Sequence, residues 1–114
     1  MTLEGSLETA GDDAGDAVLF AFTVTNAGGE PVELRFSDAC KAEFVVIDDG
    51  EEIWRFSEGR MFAQVLESET LGPGASASYE AEWADPERGT YEAVAELRAQ
   101  DEDCEARTTL SVRS

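Results

Sequence analysis

Residues 43–56 read EFVVIDDGEEIWRF, two apolar runs separated by Asp49-Gly50. Asp-Gly is favoured in a two-residue type I′ turn because both central residues take positive φ. The segment therefore predicts a β-hairpin in which Val46 faces Ile53 and Val45 faces Trp54. That register leaves apolar side chains on both sides of the ribbon, so something else must cover one of them. The nearest candidate lid is MFAQVL, Met61 to Leu66.

Working outward, the same period of two recurs on either side. Upstream, AVLFAFTVT from Ala17 places Val18, Phe20, Phe22 and Val24 on one face. Asn26-Ala27-Gly28-Gly29 follows, tolerant of positive φ, and PVELRF resumes with Val32, Leu34 and Phe36 inward, so these two strands predict a second hairpin. Nearer the start, LEGSLET puts Leu3, Gly5 and Leu7 on one face of an edge strand, and residues 10–16 read as a solvated loop. Downstream, Gly72-Pro73-Gly74 turns the chain into SASYEAEW, with Ala77, Tyr79, Ala81 and Trp83 alternating. After Asp85-Pro86-Glu87-Arg88-Gly89, TYEAVAELRA offers Tyr91, Ala93, Ala95 and Leu97, and a last strand carries Ala106, Thr108, Leu110 and Val112. On propensity alone YEAVAEL suits a helix. The alternation and the Pro86 and Gly89 punctuation favour a strand. About eight short strands without crossover helices predict an all-β, antiparallel, immunoglobulin-like β-sandwich. It forms a single domain over residues 1–114, with Phe20, Phe22, Trp54, Tyr79, Trp83 and Tyr91 in its core.

Composition narrows the partners. The 114 residues carry 26 acidic and 8 basic side chains, a net charge of −18, and no His. Mutual repulsion of that size opposes compaction at low ionic strength and is relieved by salt, so the chain suits concentrated salt. Disorder, the other reading of high charge, is opposed by the 42% of apolar residues set in alternating runs. Nucleic acid and anionic membrane surfaces need clustered Lys and Arg and are not expected partners. Met1-Thr2-Leu3-Glu4-Gly5-Ser6 has neither a basic nor an apolar leader region, and no apolar run approaches the length of a membrane span. A cytoplasmic protein is expected, as a monomer or weak dimer.

The sequence holds little that could make or break bonds. Ser76, Ser78 and Ser111, and likewise Cys40 and Cys104, have no histidine to activate them. Carboxylates are so numerous that no acid–base pair can be singled out. Asp12-Asp13-Ala14-Gly15-Asp16 and Asp101-Glu102-Asp103 lack the ligand order of a calcium loop and read as solvated corners. No catalytic residue, metal site or cofactor is expected. Cys40 and Cys104 are either two thiols, the default in a reducing cytosol, or one disulfide if their Cα atoms come within about 7 Å. Arg55 and Arg60 stand out in a chain short of cations, as partners of local carboxylates or as recognition residues.

Phe44-Val45-Val46, Asp49-Gly50, Ile53-Trp54-Arg55-Phe56-Ser57, Gly59-Arg60, Phe62, Gln64, Glu69-Thr70-Leu71, Pro73-Gly74, Tyr79 and Trp83 occur in an order that resembles the BsuPI-type intracellular proteinase inhibitor family. Asn26 and Gly89-Thr90-Tyr91 extend the likeness over residues 17–99. The resemblance implies a compact β-sandwich and inhibition of an intracellular subtilisin-like serine protease. The sequence departs from the family in its acidity, a tighter hairpin turn and the cysteine-bearing last strand, which bear on the target and not on the fold. If the chain inhibits, the contact loop expected is Ser57, Glu58, Gly59, Arg60, Met61 and Phe62. Gly59 permits a bend there, and the three residues after it are large. Alternatively Met61, Phe62 and Gln64 close the end of the sandwich. The competing function is an immunoglobulin-like interaction module without inhibitory activity.

Overall fold

The computed structural model describes residues 3–10, 17–37, 40–58, 62, 64, 66–84, 86–100 and 102–112. They form nine strands and no helix: β1 Leu3–Ala10, β2 Val18–Asn26, β3 Val32–Phe36, β4 Ala42–Asp48, β5 Glu51–Arg55, β6 Glu67–Leu71, β7 Ser76–Trp83, β8 Gly89–Leu97 and β9 Glu105–Val112. All pair antiparallel, in a sheet of order β1-β2-β7, a ribbon β3-β6 and a sheet of order β5-β4-β8-β9. The expected all-β sandwich is present, with one strand more than the alternation revealed. That strand is β6, whose sequence ESETL has a single buried apolar residue, Leu71.

Alternation became burial where it was strongest. Val18, Phe20, Phe22 and Val24 of β2 are buried, as are Tyr91, Ala93, Ala95 and Leu97 of β8. Trp83 is buried too, while Trp54 and Tyr79 are partly exposed and pack against the core. The layers meet through rings: Phe20 stacks on Phe44 and Trp54, and Trp54 lies 6.2 Å from Trp83.

Two sequence expectations are corrected. The β4–β5 turn is of type I′, with Asp49 at φ 50° and Gly50 at φ 84°. Its register, however, shifts between Val46 and Ile47, so Val46 pairs with Trp54 and Val45 with Arg55. The bulge leaves Ile53 as the extra residue, exposed, and turns Trp54 to the core face; this removes the clash of apolar faces that the regular register implied. The lid is therefore not needed for Trp54. Of MFAQVL, residues 61, 63 and 65 lie outside the described residues, Phe62 rests on Phe56, and Leu66 is 86% exposed.

The second correction is the hairpin expected between β2 and β3. These strands do not pair; β2 lies between β1 and β7, and β3 pairs with β6. Asn26 is the reason. Its Nδ2 donates to the carbonyls of Glu30 (2.7 Å) and Leu71 (2.9 Å), and its Oδ1 accepts from Gly28 N–H (2.9 Å). Those bonds carry the chain out of the first sheet toward β6 in place of a return along β2. The main chain of Asn26 is held as well, by Ala75 and Gly74. Gly74, at φ 80° after Pro73, closes this corner in a type II turn with Ala75 N–H donating to Gly72 C=O.

At the other side β1 comes close to β9. A Cβ at Gly5 would lie 2.9 Å from Cys104 Sγ, 3.0 Å from Phe22 Cε1 and 3.2 Å from Glu105 O. Gly5→Ala is therefore expected to destabilise by about 2 kcal/mol through overpacking. The check is a urea midpoint lowered at constant slope, with Gly5→Ala/Cys104→Ala recovering part of the loss.

Candidate protein-binding site

The loop expected to make contact starts where β5 ends, and a buried carboxylate fixes that start. On β4, Glu43 is 5% exposed. Its Oε1 accepts from the N–H groups of Phe44 and Ser57, both at 3.1 Å, and its Oε2 accepts from the Ser57 hydroxyl. Arg55 Nη1 stands 3.3 Å from the same Oε2. Arg55 also grips Glu52, three residues back, at 2.7 Å. First Glu52 and then Glu43 raise the pKa of its guanidinium, while Arg55 holds the Glu52 carboxyl below the usual range. Burying a carboxylate is costly unless it is paired and bonded; here each oxygen has two partners.

The turn itself is closed by Glu58 N–H donating to Arg55 C=O at 3.1 Å, after Phe56 N–H has donated to Phe44 C=O at 2.9 Å. Phe56 sits edge-on to Phe44 at 5.8 Å, and Phe62 packs on Phe56 at 5.9 Å. Of the candidate loop, Ser57 is bonded inward, Glu58 is exposed and Phe62 is half-buried; Gly59, Arg60 and Met61 lie outside the described residues. Gln64 is exposed. Glu43 was not legible as special, being one of 26 acids next to a run that already accounted for a strand. Its only signal is position, directly before Phe44-Val45-Val46 and facing the Trp54-Arg55-Phe56-Ser57 run across the hairpin.

Both cysteines are thiols and buried. Cys40 Sγ lies 3.5 Å from Arg98 Nη1. Lys41 bridges Glu67 (3.1 Å) and Glu69 (3.4 Å), and Arg107 bridges Glu92 and Glu105. Such solvent-screened pairs add little to stability. Among the described residues no group of three or more His, Cys, Asp or Glu is placed to hold a metal ion, and no helix is long and apolar enough to cross a membrane.

A profile of the BsuPI family of intracellular proteinase inhibitors matches residues 3–102. The chain belongs to that family. No curated protein sequence matches it. Among solved structures, this BsuPI domain is similar to a CARDB domain from Pyrococcus furiosus that was solved with di-metal ions. There the identity is 15%, 97% of this chain and 92% of that chain are covered, and the TM-score is 0.55. It is also similar to Spo0M, a sporulation control protein from Bacillus subtilis (16% identity, 100% and 50% covered, TM-score 0.61). A β-glucuronidase from Bacteroides uniformis contains a similar segment (12% identity, 99% and 15% covered, TM-score 0.59). The domain thus spans half of Spo0M and a small part of the glucuronidase, and identities this low establish the fold alone.

Three acidic groups of the BsuPI domain hold their protons more firmly when folded. Burial raises the pKa of Tyr79, with Glu69 adding to it; burial, then Asp48 and Glu87, raise that of Tyr91; burial raises that of Cys104. Each pKa is raised and each charged form is an anion, so the folded state binds more protons than the unfolded state in alkali. Their stabilising effect is complete below the unfolded pKa values and is lost as pH rises through the folded ones. The urea midpoint is expected to fall from about pH 8.5 upward, and Tyr79→Phe to flatten that fall.

Proposed function

We propose that this BsuPI domain is a non-catalytic, cytoplasmic protein-binding domain. In this reading it inhibits a subtilisin-like serine protease in concentrated salt by presenting Ser57, Glu58, Gly59, Arg60, Met61 and Phe62 as its contact loop. The observation that carries this reading is the fixing of the loop's first residue by buried Glu43. A segment whose entry is already ordered loses little entropy on binding, which is how rigid loops convert backbone contacts along a cleft into affinity. The alternative, an immunoglobulin-like module that docks by a sheet face, has less support. The exposed large apolar residues among those described are Leu19 on β2, Ile53 on β5 and Leu66 just before β6, so they do not share one strand or one sheet.

The test is titration of subtilisin with the domain in concentrated KCl. Stoichiometric loss of protease activity supports inhibition, whereas slow cleavage of the domain with protease activity intact supports the module. Arg60→Ala with Phe62→Ala is expected to weaken inhibition at least about tenfold. Because Phe62 packs on Phe56, the urea midpoint of the double variant is read alongside Arg60→Ala alone. Unchanged potency in both would remove this loop from the contact surface.

A further inference from the structure

An open seam of about 290 Å³ runs between β7 and the loop-bearing end of the opposite sheet, lined by Ala42, Phe44, Phe56, Phe62 and Tyr79 together with Ser78, Glu80, Cys40 and Lys41. Three observations define what fits it. First, β7 is outermost in its sheet: among the described strands it pairs only with β2. Among the described residues no strand pairs with its other edge, and such an edge is the template on which an extended peptide adds as a further strand. Second, the lining is aromatic. Phe44, Phe56 and Phe62 follow one another at 5.8 and 5.9 Å, and the volume is about twice the roughly 150 Å³ that holds benzene in an engineered apolar cavity. Third, the rim is negative. The Lys41 ammonium in the lining is bridged to both Glu67 and Glu69, so that cluster is net negative, and exposed Glu80, with Glu82 beyond it on β7, adds to it in a chain of net charge −18.

We propose that this seam binds an extended segment of a partner protein. The segment adds along the edge of β7 opposite β2, places one aromatic side chain among Phe44, Phe56 and Phe62, and flanks it with Lys or Arg facing Glu80. Edge hydrogen bonds supply affinity without sequence preference, the cavity selects one large apolar side chain, and the rim selects its basic neighbours. Of the proposed contact loop the site uses Phe62, and it stands whether or not a protease is inhibited.

The experiment titrates the isotopically labelled full chain with the peptide acetyl-Lys-Thr-Phe-Thr-Lys-amide at low salt, read by amide chemical shifts. Saturable shifts confined to residues 40–44, 56 and 78–80 are expected. The Glu-flanked peptide and the peptide with Ala in place of Phe should each bind at least about tenfold more weakly. On the protein, Glu80→Lys should weaken the basic peptide about fivefold. Ala42→Leu, which fills the cavity, should abolish binding; should that variant not fold, Glu80→Lys and the Ala peptide decide the matter. The proposal is overturned by the absence of saturable shifts up to about 5 mM peptide, or by shifts centred elsewhere. Equal affinity for Lys- and Glu-flanked or for Phe- and Ala-centred peptides overturns it too. So does binding of indole with no binding of any peptide, which would make the seam a small-molecule site.

Discussion

Replacing Asn26 by Ala is expected to cost about 4 kcal/mol, because it strands the buried Leu71 carbonyl and removes two part-buried bonds, to the Glu30 carbonyl and the Gly28 N–H. Asn26 is fully buried, and no other described side chain satisfies Leu71 C=O, Glu30 C=O and Gly28 N–H together. A buried carbonyl or N–H that loses its partner costs roughly 1–3 kcal/mol, and the two carbonyls belong to segments far apart in sequence. The loss therefore loosens the junction between β2, the β3–β6 ribbon and the Gly72–Gly74 turn together. Asn26→Asp separates chemistry from packing. It keeps the shape and the acceptor for Gly28, but sets a carboxylate oxygen against two carbonyl oxygens, and is expected to be at least as damaging as Ala at neutral pH. Urea unfolding of both variants is the measurement. An Asp variant near the parent's stability would show that the Asn26 amide does not tie these elements.

Glu43→Ala is expected to lose roughly 3 kcal/mol, the range in which removal of one partner leaves buried donors and a cation without their acceptor. Ser57 N–H and hydroxyl, Phe44 N–H and Arg55 would all lose a partner. The cost is not spread evenly. Phe44 still lies in the β4 ladder, whereas Ser57 has no strand around it, so the loop entry should open first. Hydrogen exchange at the Ser57 amide is expected to accelerate far more than exchange in β8. Glu43→Gln retains an oxygen for the two N–H groups but turns an amide nitrogen toward Arg55, and should cost about 1 kcal/mol. If Glu43→Ala matched the parent in both midpoint and Ser57 protection, the pre-ordered loop entry would have to be abandoned.

Much of the fold was legible because it rests on side-chain period. The alternation of Val18 to Val24 and of Tyr91 to Leu97 survives as burial, since a strand shows opposite faces to core and water. Asp49-Gly50 named its turn because few residues tolerate the φ values found there. What escaped depends on partners distant in sequence. The hairpin expected after Asn26 failed because a side-chain amide competing for remote carbonyls has no local signature. β6 was passed over because a ribbon strand with one buried residue has no apolar period. The bulge at Ile53 follows from the need to put Trp54 beside Phe20 and Trp83, a constraint set by the opposite layer. At the site, Ser57 and Phe62 lay within a recognisable string, while Glu43, which holds that string in place, was masked by the abundance of its own residue type.

The bulge also bears on how the protein behaves in a crowded cell. β5 ends the four-stranded sheet, and a flat terminal strand would invite copies of the chain to stack edge to edge into fibrils. Instead that margin is short, kinked at Ile53 and bordered by Glu51, whose like charges on two approaching copies would repel, beside Glu52 in its pair with Arg55. Shape and charge together oppose polymerisation through this border, so straightening it with Ile53 deleted, or neutralising Glu51, should shorten the lag before aggregation at high concentration.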